Sequence, residues 1–234
     1  MEDEKFARTE SLLGAEVMSR LRSVRVIVFG VGGVGSWCAE SLVRTGVRHL
    51  TIVDSDEVCA SNVNRQMMAT TKTIGRVKVD ALKERLLEIN PEAQIDAVHR
   101  MYTAETADDF CLADYDYIID AIDSIGDKML LMLRACETDA VFFSSMGAAR
   151  KLDSSRISVA EFWKVKGCPL GSVLRRKFRA SGELPKKKFK CVYSDEQPSA
   201  FVEGGLGSLH HITAVFGLAM AGLVVNDVCA KIKA

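Results

Sequence analysis

Short apolar runs alternate with longer amphipathic stretches through the first two thirds of the chain. The runs are rich in Val and Ile, as buried strands are, and the stretches between them carry apolar residues at helical spacing. This alternation predicts strands at 25–29, 49–53, 94–98, 116–120 and 140–145, helices at 36–45, 75–89, 105–112 and 126–138, and a loop over 55–70. Such an order is typical of an α/β fold with a Rossmann-like, doubly wound, mostly parallel sheet.

The two ends of the chain depart from this rhythm. Residues 1–22 have the periodicity of a helix, and residues 156–162 suit a strand that extends the sheet in the antiparallel direction. The apolar run over 212–225 predicts a buried closing helix, because it is shorter than the roughly 20 residues that span a membrane. A helix that contacts a membrane remains the minor alternative.

These features predict one continuous domain in three parts. An N-terminal helical arm covers residues 1–24, a nucleotide-binding part covers 25–150, and an extension with a basic loop and the closing helix covers 151–234.

Four glycines, Gly30, Gly32, Gly33 and Gly35, follow the first predicted strand. In a strand-to-helix turn the first glycine permits the tight bend, the second lets the backbone approach a phosphate, and the last lets the helix pack near the strand. Free N–H groups at the start of the helix then face the anion. Asp54 ends the next strand, where its carboxylate can accept hydrogen bonds from ribose hydroxyls. A nucleotide site is predicted here; the alternative is a tight turn without a ligand.

Polar and cationic residues concentrate after Asp54. The loop contains Asn62-Val-Asn-Arg65-Gln66, and Lys78 follows in the next helix. Arg65 can contact two phosphate oxygens at once, and Lys78 can supply a mobile positive charge. A dehydrogenase does not need these groups beside its phosphate turn, whereas cleavage of a triphosphate does. The alternative is an ordinary Arg and Lys that cap a helix.

Two carboxylates lie at the end of the strand predicted at 116–120. This end lies at the same sheet edge as the glycine turn, where open α/β sheets bind ligands. Asp123 can therefore reach a magnesium ion that bridges phosphates. Asp120 is interpreted as a structural acid at the strand end.

The net charge of zero conceals an asymmetry along the chain. Residues 1–163 carry 19 Lys and Arg against 26 Asp and Glu, whereas residues 164–191 carry ten basic residues and only Glu183. A charged run is usually a solvated face, but this one predicts an exposed basic loop or hairpin that contacts polyanions. The candidates for contact with a polyanionic substrate are Arg150, Arg175, Arg176, Lys186, Lys187 and Lys188; Arg150 lies outside the basic segment and follows the last strand of the alternation.

Seven cysteines are scattered through the chain without a CxxC pair. Their spacing and odd number argue against a disulfide framework and a four-thiolate zinc site. The first five residues include three acidic ones and no apolar core, so they do not resemble a secretory signal. This start predicts a cytoplasmic protein with reduced thiols. Cys168 and Cys191 are interpreted as structural rather than as acceptor thiols, and adjacent His210 and His211 are not expected to chelate a metal.

The chain resembles the adenylating enzymes of the ubiquitin-activating superfamily, whose bacterial members activate sulfur-carrier proteins. The resemblance covers nearly the full chain and rests on the glycine turn, Asp54, the 62–66 segment, Lys78 and Asp120-Ala-Ile-Asp123. Further segments are similar to the subgroup that dehydrates threonylcarbamoyladenosine in tRNA. They are Gly33-Val-Gly-Ser-Trp37, Arg44-Thr-Gly46, Asp56-Glu-Val-Cys59, Asp120-Ala-Ile-Asp-Ser124 and Cys191-Val-Tyr-Ser194 followed by Glu196.

The resemblance implies a role for each site residue. Asp54 would hold the ribose, Ser36 would close the phosphate turn, and Asp123 would bind magnesium. The residues expected to hold and polarise the triphosphate are Asn62, Arg65, Gln66 and Lys78, together with an N-terminal arginine from the partner subunit of a homodimer. Arg8 is the candidate for that arginine; Lys5 stands where the family often has another arginine.

The resemblance also implies a reaction. The threonyl carboxylate on the modified adenosine attacks the α-phosphorus of ATP, and the neighbouring carbamoyl group closes onto the activated carbonyl with release of AMP. ATP and Mg2+ are the implied cofactors, a monovalent cation and a sulfur-transfer or cysteine-desulfurase partner are further expectations, and no stable membrane insertion is expected.

Two other functions stay open at this point. One is adenylation of the C-terminal glycine of a ubiquitin-like sulfur-carrier protein, a class that usually has two zinc-binding CxxC pairs. The other is a non-catalytic nucleotide sensor, which would not need the combination of Arg65, Lys78 and Asp123.

Overall fold

Seven strands form one sheet in the computed structural model, which describes residues 2–197 and 207–233. They are β1 (Arg25–Phe29), β2 (His49–Asp54), β3 (Gln94–His99), β4 (Tyr117–Asp120), β5 (Val141–Ser145), β6 (Ile157–Glu161) and β7 (Lys190–Ser194). The order across the sheet is β3-β2-β1-β4-β5-β7-β6. Only β6 runs antiparallel to its neighbour, β7. The predicted α/β class and the antiparallel extension are therefore confirmed.

The helices cover both faces of this sheet. They are α1 (Glu2–Leu13), α2 (Ala15–Ser23), α3 (Gly35–Thr45), α4 (Lys78–Ile89), α5 (Ile125–Ala135), α6 (Pro169–Ser181) and α7 (His210–Lys233). One core joins the sheet to α1, α2, α3, α4 and α7, and a second joins its other face to α5 and α6. The side chains of β1 alternate between these two cores, as the period of a strand requires.

Four predicted elements differ from the structure. The predicted N-terminal helix is two helices, because Gly14 adopts a left-handed φ of 84° between them. The helix predicted over 105–112 is wrong: residues 107–110 and 112–114 form two separate 3-10 turns. Cys111, with a φ of 43°, separates these turns and prevents a continuous helix.

The basic segment is the third difference. Half of it is the helix α6, where a loop or hairpin was expected. Cys168 lies at the N-cap, Pro169 opens the first turn, and Gly182 ends the helix in a left-handed conformation. This order of proline at the start and glycine at the end is a common helix signal. The glycine-rich segment over residues 204–207 lies mostly outside the described residues.

The closing helix is longer than the sequence suggested. α7 has 24 residues, so the expectation that it is too short to span a membrane is wrong by length and composition. However, 56% of its apolar window is buried within the protein. Its buried side chains, such as Phe216 and Met220, belong to the core that also contains α3. The helix is thus a central packing element of this fold.

The candidate ligand crevice lies at the carboxyl ends of β1 and β4. These strands are parallel neighbours, with Phe29 beside Asp120, and the chain order reverses between them. The carboxyl ends of open α/β strands form a ligand crevice at such a reversal. The glycine turn follows β1 and Asp123 follows β4, so both open into this crevice.

Packing of α7 on α3 provides a test of the fold. A Cβ at position 217 would overlap the carbonyl oxygen of Val34 and lie 2.8 Å from the Cβ of Trp37. Gly217→Ala is expected to lower the free energy of unfolding by about 1–3 kcal/mol, because the overlapped atom is backbone. Urea unfolding measures the change.

Gly126→Ala in α5 is the matched control. Nothing lies within 4 Å of its added methyl group, so the better helix propensity of alanine should stabilise the protein by up to about 1 kcal/mol. Equal effects at both positions would contradict the close helix contact at Gly217.

Candidate nucleotide site

The glycine turn is shaped by two close backbone approaches. Gly30 has a left-handed φ of 81°, and a Cβ there would lie 2.7 Å from the carbonyl oxygen of Ala121. A Cβ at Gly35 would overlap the carbonyl oxygen of Gly30 itself. Side chains at these positions would separate α3 from β1. The close contacts at Gly30 and Gly35 and the positive φ of Gly30 therefore support the prediction of a tight turn and a closely packed helix.

Gly32 and Gly33 form the open part of the turn. A Cβ at Gly32 would have only the amide nitrogen of Gln66 nearby, at 3.7 Å, whereas one at Gly33 would touch Arg65 and Thr213 at 3.2 Å. The backbone at Gly32 is thus accessible beside the first turn of α3. Its N–H groups and helix dipole provide the environment that phosphates prefer.

Ser36 and Trp37 fasten the next loop to this turn. The Ser36 hydroxyl donates to the carbonyl of Gly32 at 2.6 Å and accepts from the amide of Met67 at 3.1 Å. The Trp37 indole donates to the carbonyl of Arg65 at 3.0 Å. Ser36 is fully buried. In this structure its hydroxyl shapes the turn from within and does not point into the crevice.

Asp54 lies where the sequence placed it, at the end of β2. One carboxylate oxygen accepts from the amide of Val31 at 2.8 Å, and the other accepts from the amide of Asp56 at 2.9 Å. A carboxylate has about four acceptor positions. Capacity therefore remains for hydroxyl donors of a ribose, while the two backbone bonds fix the orientation of the side chain.

Lys78 is buried at the first position of α4. Its ammonium group donates to Asp56 at 2.7 Å and lies 3.9 Å from Asp54. Lys78 side-chain exposure is only 6%, so this charge is held in place rather than moving freely in solvent. The ammonium is thereby kept beside the loop that follows β2.

Arg65 and Gln66 form a polar wall opposite Gly33 and Gly32, and Asn62 lies in the 3-10 turn that precedes them. The Asn62 oxygen accepts from the amide of Cys59 at 3.0 Å, and Arg65 donates to the Ser61 carbonyl and the Asn64 side chain at 3.1 and 2.9 Å. The Gln66 side chain is 94% buried, yet its oxygen has no hydrogen-bond partner among the described residues. A buried acceptor without a donor fits a site that a polar ligand completes.

Asp120 and Asp123 have different environments. Asp120 is fully buried and forms an ion pair of 2.8 Å with Lys128, which is also fully buried. Asp123 is exposed in the loop between β4 and α5. The structure therefore supports the interpretation of Asp120 as structural and leaves Asp123 as the carboxylate that opens into the crevice.

Metal binding by protein ligands alone is not favoured here. Over residues 2–197 and 207–233, no group of three or more His, Cys, Asp or Glu side chains could hold a metal. Magnesium commonly uses one or two carboxylates and completes its shell with phosphates and water. Asp123 fits that donor set only in the presence of a bound triphosphate.

Arg8 does not reach its own glycine turn. It is exposed on α1 and lines a groove with Thr45, at the far end of α3 from Gly35. An 11-residue helix is about 16 Å long. In a single chain Arg8 is therefore separated from the nucleotide site by the length of α3.

The basic candidates divide between two edges of the sheet. Arg150 follows β5 at the site edge, where its amide donates to the carbonyl of Gly207 at 2.9 Å. Lys187 donates to the carbonyls of Thr138 and Ala140, which precede β5 at the opposite edge. Lys186 pairs with Glu137 at 2.7 Å beside it. The lysine run is thus about 17 Å, the length of a five-residue strand, from the site edge.

α6 connects these two edges. Its first turn packs near Gly147, just after β5, because a Cβ there would lie 3.5 Å from Leu170. Arg175 is held inward by a bond of 3.1 Å to the Phe162 carbonyl, whereas Arg176 and Lys177 are exposed. Arg176 and Lys177 form no ion pair within the described part of the chain.

The histidines and the two cysteines noted in the sequence have structural contacts. His210 packs edge-on against Trp37, with ring centroids 4.8 Å apart, and His211 bonds the Leu152 carbonyl at 3.1 Å. Cys168 accepts a hydrogen bond from Gly171 at 3.5 Å, and burial raises the pKa of Cys191 well above its ordinary value. Neither thiol has the environment of a reactive nucleophile.

Glu196, from the last segment that carried the resemblance, also has a structural contact. Its carboxylate accepts from the amides of Leu152 and Asp153 at 3.0 Å. This contact ties the segment after β7 to the loop after β5.

Sequence reasoning missed three residues that hold the site together: Trp37, Lys128 and Ser144. Lys128 carried a signal, because a lysine within the apolar run of α5 requires a buried partner. Trp37 and Ser144 act through contacts between elements far apart in sequence, which no local pattern reveals.

Comparison with known proteins places this geometry in a family. The ThiF family model matches residues 6–231. The tRNA threonylcarbamoyladenosine dehydratase of Bacillus subtilis is 37% identical over 98% of this chain and 96% of its own length. Its counterpart in Escherichia coli is 30% identical over 97% and 94%.

Solved structures agree. The crystal structure of the E. coli enzyme, TcdA, in complex with AMP has a TM-score of 0.92 and 30% identity, covering 99% of this chain and 97% of that one. Its complex with ATP has a TM-score of 0.91 at the same identity, covering 99% and 96%. By contrast, an adenylyltransferase and sulfurtransferase MOCS3 of Culex quinquefasciatus, 34% identical, matches 52% of this chain and 27% of its own length. The glycine turn, its polar wall and the surrounding sheet are those of a ThiF family domain, and this chain belongs to the ThiF family.

Proposed function

We propose that this protein uses ATP to dehydrate threonylcarbamoyladenosine in tRNA, through adenylation of the threonyl carboxylate. The observation that carries the proposal is the convergence on one crevice of the open glycine turn, the half-buried Arg65, the buried Lys78 and the unsatisfied Gln66 oxygen. Relatives with this name span nearly the full chain, and one of them has been crystallised with AMP and with ATP.

The chemistry explains why a triphosphate is needed. A carboxylate resists nucleophiles because it is anionic and has no good leaving group. A carboxylate oxygen bonds to the α-phosphorus, and the bond from that phosphorus to the pyrophosphate oxygen breaks. The carbamoyl group then bonds to the activated carbonyl and loses a proton, and AMP leaves. The net change is the loss of one water from the nucleoside.

The chain's residues would position the reactants and stabilise charge. Arg65 and Lys78 favour the charge that develops on the phosphates, and Asp54 orients the ribose. The amides of the glycine turn and the start of α3 surround the anion. Because these groups are already held by Trp37, Asp56 and the strand ends, little reorganisation is required on binding.

Asp123 is proposed to hold magnesium together with the phosphates. When bound, the ion would neutralise phosphate charge and polarise the bond to the leaving pyrophosphate. A monovalent cation in the site, a sulfur-transfer or cysteine-desulfurase partner and a cytoplasmic location belong to the same proposal. Gln66 is proposed to bind a donor on the nucleotide, since its oxygen is buried without one.

Adenylation of a sulfur-carrier protein is the less favoured enzyme function. That class usually carries two CxxC pairs, and this chain has none. The two thiols considered as acceptors, Cys168 and Cys191, are buried, whereas Cys59 and Cys111 are exposed. A nucleotide sensor without catalysis would gain nothing from a buried cation and an exposed carboxylate on opposite sides of the phosphate turn.

Mass analysis of tRNA nucleosides tests the proposed function. Incubation of threonylcarbamoyladenosine-containing tRNA with the protein, ATP and magnesium should remove one water from that nucleoside and release AMP and pyrophosphate. ATP–pyrophosphate exchange distinguishes the alternatives. Exchange that depends on a carrier protein, or no exchange with either substrate, would refute the proposal; Lys78→Ala serves as the inactive control.

A homodimer would place Arg8 at the partner's site. The groove beside Arg8 is lined by apolar side chains, including Leu12, which is 83% exposed, and Leu218, which is 47% exposed. Apolar surface of this kind favours association with another protein surface. A second copy seated here would also explain why Arg8 points away from its own nucleotide site.

Mixed dimers test the role of Arg8 in the partner subunit. Arg8→Ala has an intact pocket without the arginine, and Lys78→Ala has the arginine without a working pocket. Each homodimer should be inactive in exchange, while equal mixtures should recover roughly a quarter of the wild-type activity, as random pairing predicts. Replacing the second subunit with the double variant Arg8→Ala, Lys78→Ala should abolish recovery. Failure of the first mixture to recover would contradict action across the interface.

The tRNA is proposed to follow the exposed face of α6. Arg176 and Lys177 lie on this helix, and Arg179 stacks on Trp163 with 5.6 Å to the ring centroid. Lys188 is exposed beyond its end, and Arg150 lies at the site edge before its start. Arg175, Lys186 and Lys187 remain candidates with smaller expected roles, because their charged groups already have protein partners.

A double variant that removes two positive charges tests this surface. Arg176→Gln with Lys177→Gln should weaken tRNA binding roughly tenfold at physiological salt and make the salt dependence shallower by about one to two phosphate contacts. Lys83→Gln with Lys233→Gln, on helices of the opposite sheet face, is the matched control and should change neither. Fluorescence anisotropy over a salt series measures both. If the salt dependence of tRNA binding is unchanged in the α6 variant, these cations do not contact the tRNA and contribute to solubility instead.

A further inference from the structure

A buried ion pair lies beneath the loop that carries Asp123. The side chains of Asp120 and Lys128 are both 0% exposed, and their charged atoms are 2.8 Å apart. The same Asp120 oxygen accepts a hydrogen bond of 2.6 Å from Ser144 on β5. The pair therefore links the end of β4, the neighbouring strand and the first turns of α5.

Both partners of this pair also hold the peptide groups of Ile122. The second Asp120 oxygen accepts from the Ile122 amide at 3.0 Å, and the Lys128 ammonium donates to the Ile122 carbonyl at 2.9 Å. Ile122 directly precedes Asp123. These two hydrogen bonds, one to the amide and one to the carbonyl of Ile122, fix the backbone that leads into Asp123.

The preceding residue is fixed as well. The amide of Ala121 donates to the carbonyl of Phe29 at 2.8 Å, and its own carbonyl lies against Gly30, where any side chain would approach it within 2.7 Å. The loop therefore contacts the glycine turn through Ala121 and the ion pair through Ile122. Both contacts set the position of Asp123.

Stability alone does not account for a charged pair at this place. Burial of two charges removes their hydration, and well-packed apolar residues of similar volume often stabilise a core as well or better. Apolar packing is available on this side of the sheet, since Leu131, three residues after Lys128 in α5, belongs to the buried core that also contains α6. What apolar side chains cannot supply is a donor and an acceptor for the two sides of the Ile122 peptide.

We infer that Asp120 and Lys128 are positioning residues that orient the Asp123 carboxylate toward the metal–triphosphate complex. The inference rests on the proposed function, because it assumes that Asp123 binds the metal. Neither residue touches the nucleotide in this scheme. Their effect should therefore appear in metal affinity and in turnover, and not in the affinity for metal-free ATP.

The double variant Asp120→Asn, Lys128→Met tests the inference without leaving a buried unpaired charge. Its affinity for Mn2+ in the presence of ATP, measured by electron paramagnetic resonance, should fall roughly tenfold. The affinity for ATP in EDTA should stay within twofold of wild type. Tyr117→Phe is the matched control: it removes a bond of 2.9 Å to Asp227 at the other end of β4, and it should destabilise the fold without changing the affinity for Mn2+.

If the double variant does not fold, Asp120→Leu with Lys128→Met replaces it. This change leaves no buried charge and packs as apolar side chains of similar volume, but it supplies neither hydrogen bond to Ile122, so a loss of at least about tenfold is expected. Wild-type affinity for Mn2+ in the variant that folds would overturn the inference.

Asp123→Asn separates this result from a failure of the proposed function. A loss of affinity for Mn2+ in Asp123→Asn, with none in the double variant, overturns only the positioning inference. Unchanged affinity in both variants overturns the inference and also removes Asp123 from the proposed metal site. A loss in both, with Tyr117→Phe unchanged, supports the inference.

Discussion

The structure depends on one steric constraint, the contact of the first turn of α3 with the end of β1. No side chain fits between Gly35 and the carbonyl of Gly30, so the helix begins directly against the strand. Because Gly30 also lies against Ala121, the same contact fixes the distance between the end of β1 and the loop after β4. The crevice, its phosphate-facing amides and its exposed carboxylate all take their positions from this contact.

The face of α3 that packs against α7 connects the glycine turn to the rest of the protein. Gly217 lets α7 lie close to Val34 and Trp37, and Thr213 reaches Gly33 at the turn itself. Trp37 and Ser36 in turn hold the loop that contains Arg65. The apolar helix that resembled a membrane segment in composition is thus the support of the phosphate turn, which explains why small residues occur along it.

The sequence predicted the sheet and the glycine turn because their determinants are local. The apolar runs of β1 and β2 and the spacing of Gly30 and Gly35 can be recognised within a few residues. It failed at 105–112, where a left-handed Cys111 breaks the helical pattern, and at α6, where basic residues on one face concealed the apolar contacts of Leu174 and Phe178 on the other. The partners of Lys78 and Asp120 and the burial of Gln66 could not be predicted, since they depend on packing between distant segments.

The site combines rigid buried groups with a few exposed ones. Asp120, Lys128 and Ser36 are sealed from solvent and bond backbone groups, whereas Asp123 and Arg176 remain accessible to ligands. A carboxylate on a free loop would lose conformational entropy each time it bound a metal. Where the backbone on either side is fixed beforehand, most of that loss occurs on folding instead. The buried charges of this ThiF family member are best understood in those terms: they reduce the freedom of the loop that carries Asp123, at the expense of burying an ion pair in the core.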